Sequence, residues 1–194
     1  MSQQKAVFLV HGIDDTTVLF DRLRPWLEAG GWTVYAHNLF PNNGDAGVDE
    51  LAAQVARHVE ASLDSAQPLD IVGFSMGGLV SRYYVQRLAG SRSVRRLITI
   101  SAPHRGTWTA YLRNNPGARQ MRPGSRFLEE LNQDLQPLRN VVFTSIWTPL
   151  DLMIVPARSS VIASAKSVPV CVPAHPLMMR DRRVLRLVEQ VLLR

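Results

Sequence analysis

The sequence has little that could hold it together covalently. Its 194 residues include one cysteine, Cys171, so neither an intrachain disulfide nor a cysteine-based metal site can be built within the chain. Cys171 lies in the apolar run Val168-Pro169-Val170-Cys171-Val172, where a buried small hydrophobe is expected rather than a reactive thiol. No stretch approaches the ~20 apolar residues of a membrane span. A signal-peptide pattern is also lacking, since Lys5 leads straight into a short apolar run and then His11-Gly12. These absences predict a soluble, cytoplasmic protein. Lysine is scarce too: Lys5 and Lys166 are the only two among 22 basic residues, so arginines carry the net charge of +6. They are scattered, with no interleaved aromatics of the kind that stack bases, and nucleic acid is not expected as a partner. Arg180, Arg182, Arg183 and Arg186 cluster locally; a solvated basic face is the expectation, with transient contact to an anionic lipid interface as the alternative.

The chain does have enough apolar residues, 46%, for a full core, and its length suits one domain over residues 1–194. Runs such as Ala6-Val7-Phe8-Leu9-Val10 and Leu69 to Phe74 read as strands buried on both faces. Trp32 to Ala36, Arg96 to Ile100, Val141 to Trp147 and Ser167 to Val172 complete six strands. Helical stripes lie between them: Thr16 or Thr17 to Ala29 with Pro25 inside, Val48 to Leu63, Met76 to Ala89 before Gly90, and a last helix carrying Val184, Leu187, Val188 and Val191. The rhythm predicts an α/β fold, a doubly wound parallel sheet with helices on both faces. Residues 107–139 break it with Pro116-Gly117 and Pro123-Gly124 turns and a short helix near Ser125 to Asn132. They are expected to form a cap or lid insertion.

One stretch carries chemistry. Gly73-Phe74-Ser75-Met76-Gly77 matches the G-x-S-x-G elbow, a strained strand-to-helix turn that lifts a serine hydroxyl clear of the backbone. A serine nucleophile needs a base, and a base needs an orienting carboxylate. His11, His104 and His175 all follow strand ends; His37 ends the second strand, and His58 lies inside a helical pattern. His175 fits best. It follows the last strand and Asp151 follows the strand before, giving the order Ser, Asp, His of the hydrolase elbow. Asp134 and Asp181 sit in the wrong places for that order, and Asp14 and Asp15 suit a turn or a cap. The N–H of Met76, at a helix start, and the N–H of Ile13, after the permissive Gly12, are the expected oxyanion donors.

Taken together, His11-Gly12-Ile13, the elbow, Ser101-Ala102-Pro103-His104-Arg105-Gly106-Thr107, the Asp151 segment and the late His175 resemble the small α/β-hydrolase lipases and esterases related to the minimal bacterial triacylglycerol lipases. The resemblance implies carboxylic-ester hydrolysis through an acyl-enzyme, on a small-molecule or lipid ester, with no metal or cofactor. It makes Ser75, Asp151 and His175 the catalytic set and Ile13 and Met76 the oxyanion hole. It also gives His104 a structural, pocket-shaping role. His11, Gly12, His104, Trp108 and Tyr111 are the expected substrate-pocket residues, and Leu112, Met121 and Phe127 further candidates for an apolar acyl wall. Acyl transfer to another acceptor and a non-catalytic binding scaffold are the competing readings.

Overall fold

The run from Ala6 to Val10 contains no polar residue because helices cover both of its faces. A computed structural model describes residues 5–63, 67–88, 90 and 93–193. Its six strands are β1 (Lys5–Val10), β2 (Trp32–Ala36), β3 (Leu69–Phe74), β4 (Val94–Ile100), β5 (Val142–Trp147) and β6 (Lys166–Pro169). They form one parallel sheet in the order β2-β1-β3-β4-β5-β6. Ala6, Phe8 and Val10 face helices α2 (Val48–Ser62) and α3 (Met76–Arg87). Val7 and Leu9 face α1 (Leu23–Ala29) and the last helix, α6 (Arg182–Leu192). The period-two alternation of a strand thus feeds two apolar layers, and the whole is the minimal α/β-hydrolase fold.

Several boundaries differ from those expected. The first helical stretch divides into a 3-10 turn at Thr17–Phe20, which Thr16 caps, and then α1. Pro25 falls in the first turn of α1, where its missing N–H costs nothing, so the break comes before it rather than as a kink at it. Helix α3 ends at Arg87; Ala89, where its end was expected, lies outside the described residues. Strand β6 stops at Pro169, which has no N–H to extend the ladder. Beyond it Val170 and Val172 turn into the core while Cys171 is exposed, contrary to expectation. The 107–139 stretch folds into a 3-10 turn at Trp108–Leu112, α4 (Pro116–Gln120), α5 (Arg126–Gln133) and a 3-10 turn at Gln136–Leu138. Helix α4 was not expected. It begins with Asn115 capping Ala118 N–H, with Pro116 and Gly117 serving as its first residues instead of as a turn.

The order of strands decides where a site can form. The chain runs outward from β1 to β2 and then returns to place β3 on the other side of β1. The loops after β1 and β3 therefore part company at their carboxyl ends and leave a crevice, the switch point at which ligands bind in open α/β sheets. Val10 and Gly73 are paired neighbours at its floor.

Candidate active site

Ser75 stands at the end of β3 with φ 54° and ψ −125°, a left-handed backbone that a serine adopts only when its surroundings force it. The forcing contacts are visible. Ser75 N–H donates to Ile100 O (2.8 Å) and Ser75 O accepts from Gly78 N–H (3.0 Å). A Cβ on Gly73 would come within 2.5 Å of Gly77 O, and one on Gly77 would drive into the carbonyl oxygens of Val10 and His11. The glycines two before and two after the serine are thus required where strand, helix and the β1 loop meet.

The loop after β1 is held from below. Leu39 N–H donates to His11 Nε2 (2.9 Å), so Nδ1 carries the proton and donates to Gly12 O (2.9 Å). His11 is fully buried, and desolvation lowers its pKa, against the hydrogen bond to Gly12 and the charge of Asp15. A Cβ on Gly12 would lie 3.0 Å from Ser75 Cβ and 3.1 Å from Asp15 Oδ2, so the loop backbone packs directly against the serine. Asp14 has φ 58° and donates its N–H to Asn42 O (2.9 Å). Its carboxylate pairs with Arg113, which also donates to Asn43 O (3.0 Å). Met76 opens α3, so its N–H has no acceptor within the helix and lies at the positive end of the helix dipole.

On the other side, β5 and β6 deliver a carboxylate and an imidazole. Asp151 Oδ1 accepts from Met153 and Ile154 N–H at 2.9 Å each, and Oδ2 accepts from His175 Nδ1 at 2.8 Å. Burial pushes the Asp151 carboxyl up. The hydrogen bond and charge of His175, with the two amides, outweigh it and leave the group below its ordinary range. With Nδ1 thus engaged, His175 Nε2 is buried and has no protein partner. The ring rests against Phe74, 4.7 Å between centroids.

A cavity of about 200 Å³ opens onto Ser75, walled by Ile13, Ala110, Leu112, Met121, Met153 and Ile154. Of the residues expected to line a pocket, Leu112 and Met121 do. Trp108 and Tyr111 stack on each other and stand exposed outside it. His11, fully buried, and Gly12, packed against Ser75, do not line it, and Phe127 packs on Tyr83 instead. His104 is fully buried: its Nε2 bonds Thr99 Oγ1 (2.9 Å), its ring meets Phe143 edge-on, and desolvation, then the charge of Arg82, hold its pKa well below 6.5. His37 and His58 stack at 4.2 Å, away from the cavity. Asp134 pairs with Arg87, and Asp181 caps α6. Among the described residues no group of three or more His, Cys, Asp or Glu is arranged to hold a metal.

Two contributors escaped the sequence reading. The Asp14–Arg113 pair ties the β1 loop to the 107–139 stretch across the cavity mouth. Arg82, fully buried on α3, donates to Gln86 Oε1 (2.7 Å), Asn132 Oδ1 (2.8 Å) and Leu131 O (2.7 Å), fastening α5 to the helix that Ser75 begins. Its charge is met by these amide oxygens and by Leu131 O near the negative end of α5, with no carboxylate paired to it among the described residues. Its helical spacing, one turn before Gln86, was the available signal.

The palmitoyl protein thioesterase family model matches residues 6–119, more than half of the chain. A pimeloyl-[acyl-carrier protein] methyl ester esterase from Neisseria meningitidis is 41% identical over 86 residues, covering 43% of this chain and 31% of that protein. A triacylglycerol lipase from Pseudarthrobacter phenanthrenivorans is 31% identical over 109 residues, covering 52% and 34%. The chain spans about a third of the length of these curated relatives. Among solved structures, the mature form of Bacillus licheniformis lipase BlEst2 matches with a TM-score of 0.80 at 13% identity, over 99% of this chain and 93% of that one. Aspergillus fumigatus lipase B matches with a TM-score of 0.83 at 18% identity, over 98% and 53%. These structures share the fold.

Proposed function

Because the chain belongs to the palmitoyl protein thioesterase family, a family of hydrolases, we propose that it cleaves carboxylic esters or thioesters by acyl transfer to Ser75. The observation that carries the reading is the pairing of His175 Nδ1 with Asp151 Oδ2 at 2.8 Å, which leaves Nε2 buried and unengaged.

In the proposed reaction Nε2 takes the Ser75 proton as Oγ attacks the acyl carbon. Asp151 stays ionised, since its two backbone donors and the ring favour the carboxylate, and it stabilises the imidazolium. The Ile13 and Met76 N–H groups receive the oxyanion; one such donor is typically worth about 2.7–4 kcal/mol. His175 then returns its proton to the departing alcohol or thiol. In the second half-reaction it takes a proton from water as the water oxygen attacks the acyl carbon, and returns that proton to Ser75 Oγ as the C–Oγ bond breaks and the acid leaves. The apolar walls at Leu112, Met121 and Met153 suit an acyl chain.

Labelling with a fluorophosphonate probe tests the reading. The wild-type chain is expected to be labelled at Ser75 and to turn over a short-chain chromogenic ester. Ser75→Ala should lose both, with kcat down by about 10⁶ if the three residues act as a unit. Retained turnover in that variant would overturn it.

A further inference from the structure

Large apolar side chains are exposed on one edge of this molecule and almost nowhere else. Of the eleven that stand exposed among the described residues, nine lie in the loops that follow the carboxyl ends of strands, Val142 and Leu193 being the exceptions. Leu112 is 85% exposed, Leu152 82%, Phe40 80% and Val18 73%, and they come from four different loops. An apolar rim of this kind is unusual on a surface that only meets water.

The charge on this edge is segregated: the loops after β1 and β2 carry Asp14, Asp15, Asp21 and Asp45, whereas the loops after β4 and β5, which hold Trp108, are basic. Residues 101–125 contain Arg105, Arg113, Arg119 and Arg122 and no acid; residues 148–165 contain Arg158 and one acid, Asp151, which is buried and engaged by His175. Arg105 and Arg158 flank Trp108 in a groove of about 290 Å³ completed by Pro123, Pro156 and Ser159. Neither guanidinium has a hydrogen-bond or ion-pair partner among the described residues. Two free guanidinium forks beside an indole match a phosphate carried by an amphiphile. The forks bind the phosphate bidentately, and indole and phenol rings settle at the boundary between polar and apolar phases.

We propose that this edge docks on an anionic phospholipid bilayer, with the Arg105–Trp108–Arg158 groove taking a lipid phosphate and the apolar rim entering the headgroup layer. The docking stands on its own surface observations. Its purpose, presenting acyl chains at the Ser75 cavity, rests on the hydrolase reading.

Vesicle flotation of the full chain tests it, comparing phosphatidylcholine alone with a mixture containing about one-third phosphatidylglycerol. The wild-type chain should float with the anionic vesicles alone and be released by salt. Arg105→Glu/Arg158→Glu should weaken binding at least about tenfold, and Val18→Ser/Phe40→Ser should weaken it too, both with turnover of a water-soluble ester unchanged. Ser75→Ala should float like wild type. If that variant still turns over ester while floating normally, the hydrolase reading fails and the docking stands. Equal binding to both vesicles, no binding, or indifference to the arginine reversals would overturn the docking. So would a dimer in solution that Val18→Ser/Phe40→Ser converts to monomer, since a second copy would then cover the rim.

Discussion

His175 and Asp151 meet through one carboxylate oxygen, and the other oxygen is fully taken by the amides of Met153 and Ile154. The carboxylate is thereby fixed in rotation as well as position, and the imidazole it holds has one tautomer available, with Nε2 free to accept a proton.

Asp151→Asn should therefore keep the fold but lose activity. A carboxamide has one acceptor oxygen, which the two amides would keep; its NH2 would then donate to Nδ1 and shift the ring proton to Nε2, the tautomer that cannot take the Ser75 proton. A fall in kcat of about 10⁴ on a chromogenic ester is expected, with KM changed much less. The same carboxyl, held below its ordinary pKa, adds stability that is complete above about 3.8 and fades as pH falls through its folded value. Denaturant midpoints of wild type and variant should converge under acid conditions.

His104 makes a second pH prediction. Its folded form resists protonation, whereas in the unfolded chain the ring protonates below 6.5. Stability is complete above that value. It should decline by up to about 1.4 kcal/mol per pH unit as pH falls below it, until the folded value is reached. Urea unfolding between about pH 7 and pH 5 reads this slope, and His104→Gln should reduce it. His11 and His58 are shifted the same way, so some slope should persist.

Gly77→Ala is expected to be more damaging than its one added methyl suggests. The new Cβ has only the backbone carbonyls of Val10 and His11 to displace, and moving either disturbs the β1 loop as well as the elbow. Loss of more than about 3 kcal/mol of stability is expected, read as a lowered melting temperature with labelling of Ser75 abolished. Ala at Gly31 or Gly124, where no heavy atom lies nearby, would meet only backbone strain from φ +83° and +72°.

Arg82→Met keeps the volume and removes the donors. Asn132 Oδ1 and Gln86 Oε1 would lose their buried partner, and a loss of roughly 2–4 kcal/mol in global stability is expected. Reversing the exposed Arg113–Asp14 pair should by contrast cost under about 1 kcal/mol. Differential scanning calorimetry of the two variants checks the ranking.

The strands were legible because each is a short run with few charges closed by a turn; their order in the sheet was not, since parallel strands joined by helices admit more than one order. The elbow glycines could be read for the same reason that Gly77→Ala should fail: a Cβ has nowhere to go. Directions of side chains were less accessible. Trp108 and Tyr111 look like pocket aromatics, yet the 3-10 turn that carries them is oriented by Thr107 Oγ1 bonding Met153 O (2.9 Å) and by Trp108 N–H bonding Val155 O (2.9 Å), contacts 46 and 47 residues away in sequence. Those bonds turn the aromatics outward and leave Ala110 and Leu112 to face the cavity. Cys171 was misread on similar grounds, since its side depends on where β6 stops pairing.

Helix α3 begins directly after Ser75 and, in its last two turns, presents Arg82, Gln86 and Arg87, all of which grip α5. At about 1.5 Å per residue it is a strut some 18 Å long. The serine and the rear of the 107–139 stretch are therefore two ends of one rod, and neither can be displaced without carrying the other. The front of the cavity, between Leu112 and Met153, has no such brace: it is bordered by the exposed Arg113–Asp14 pair, which costs little to part.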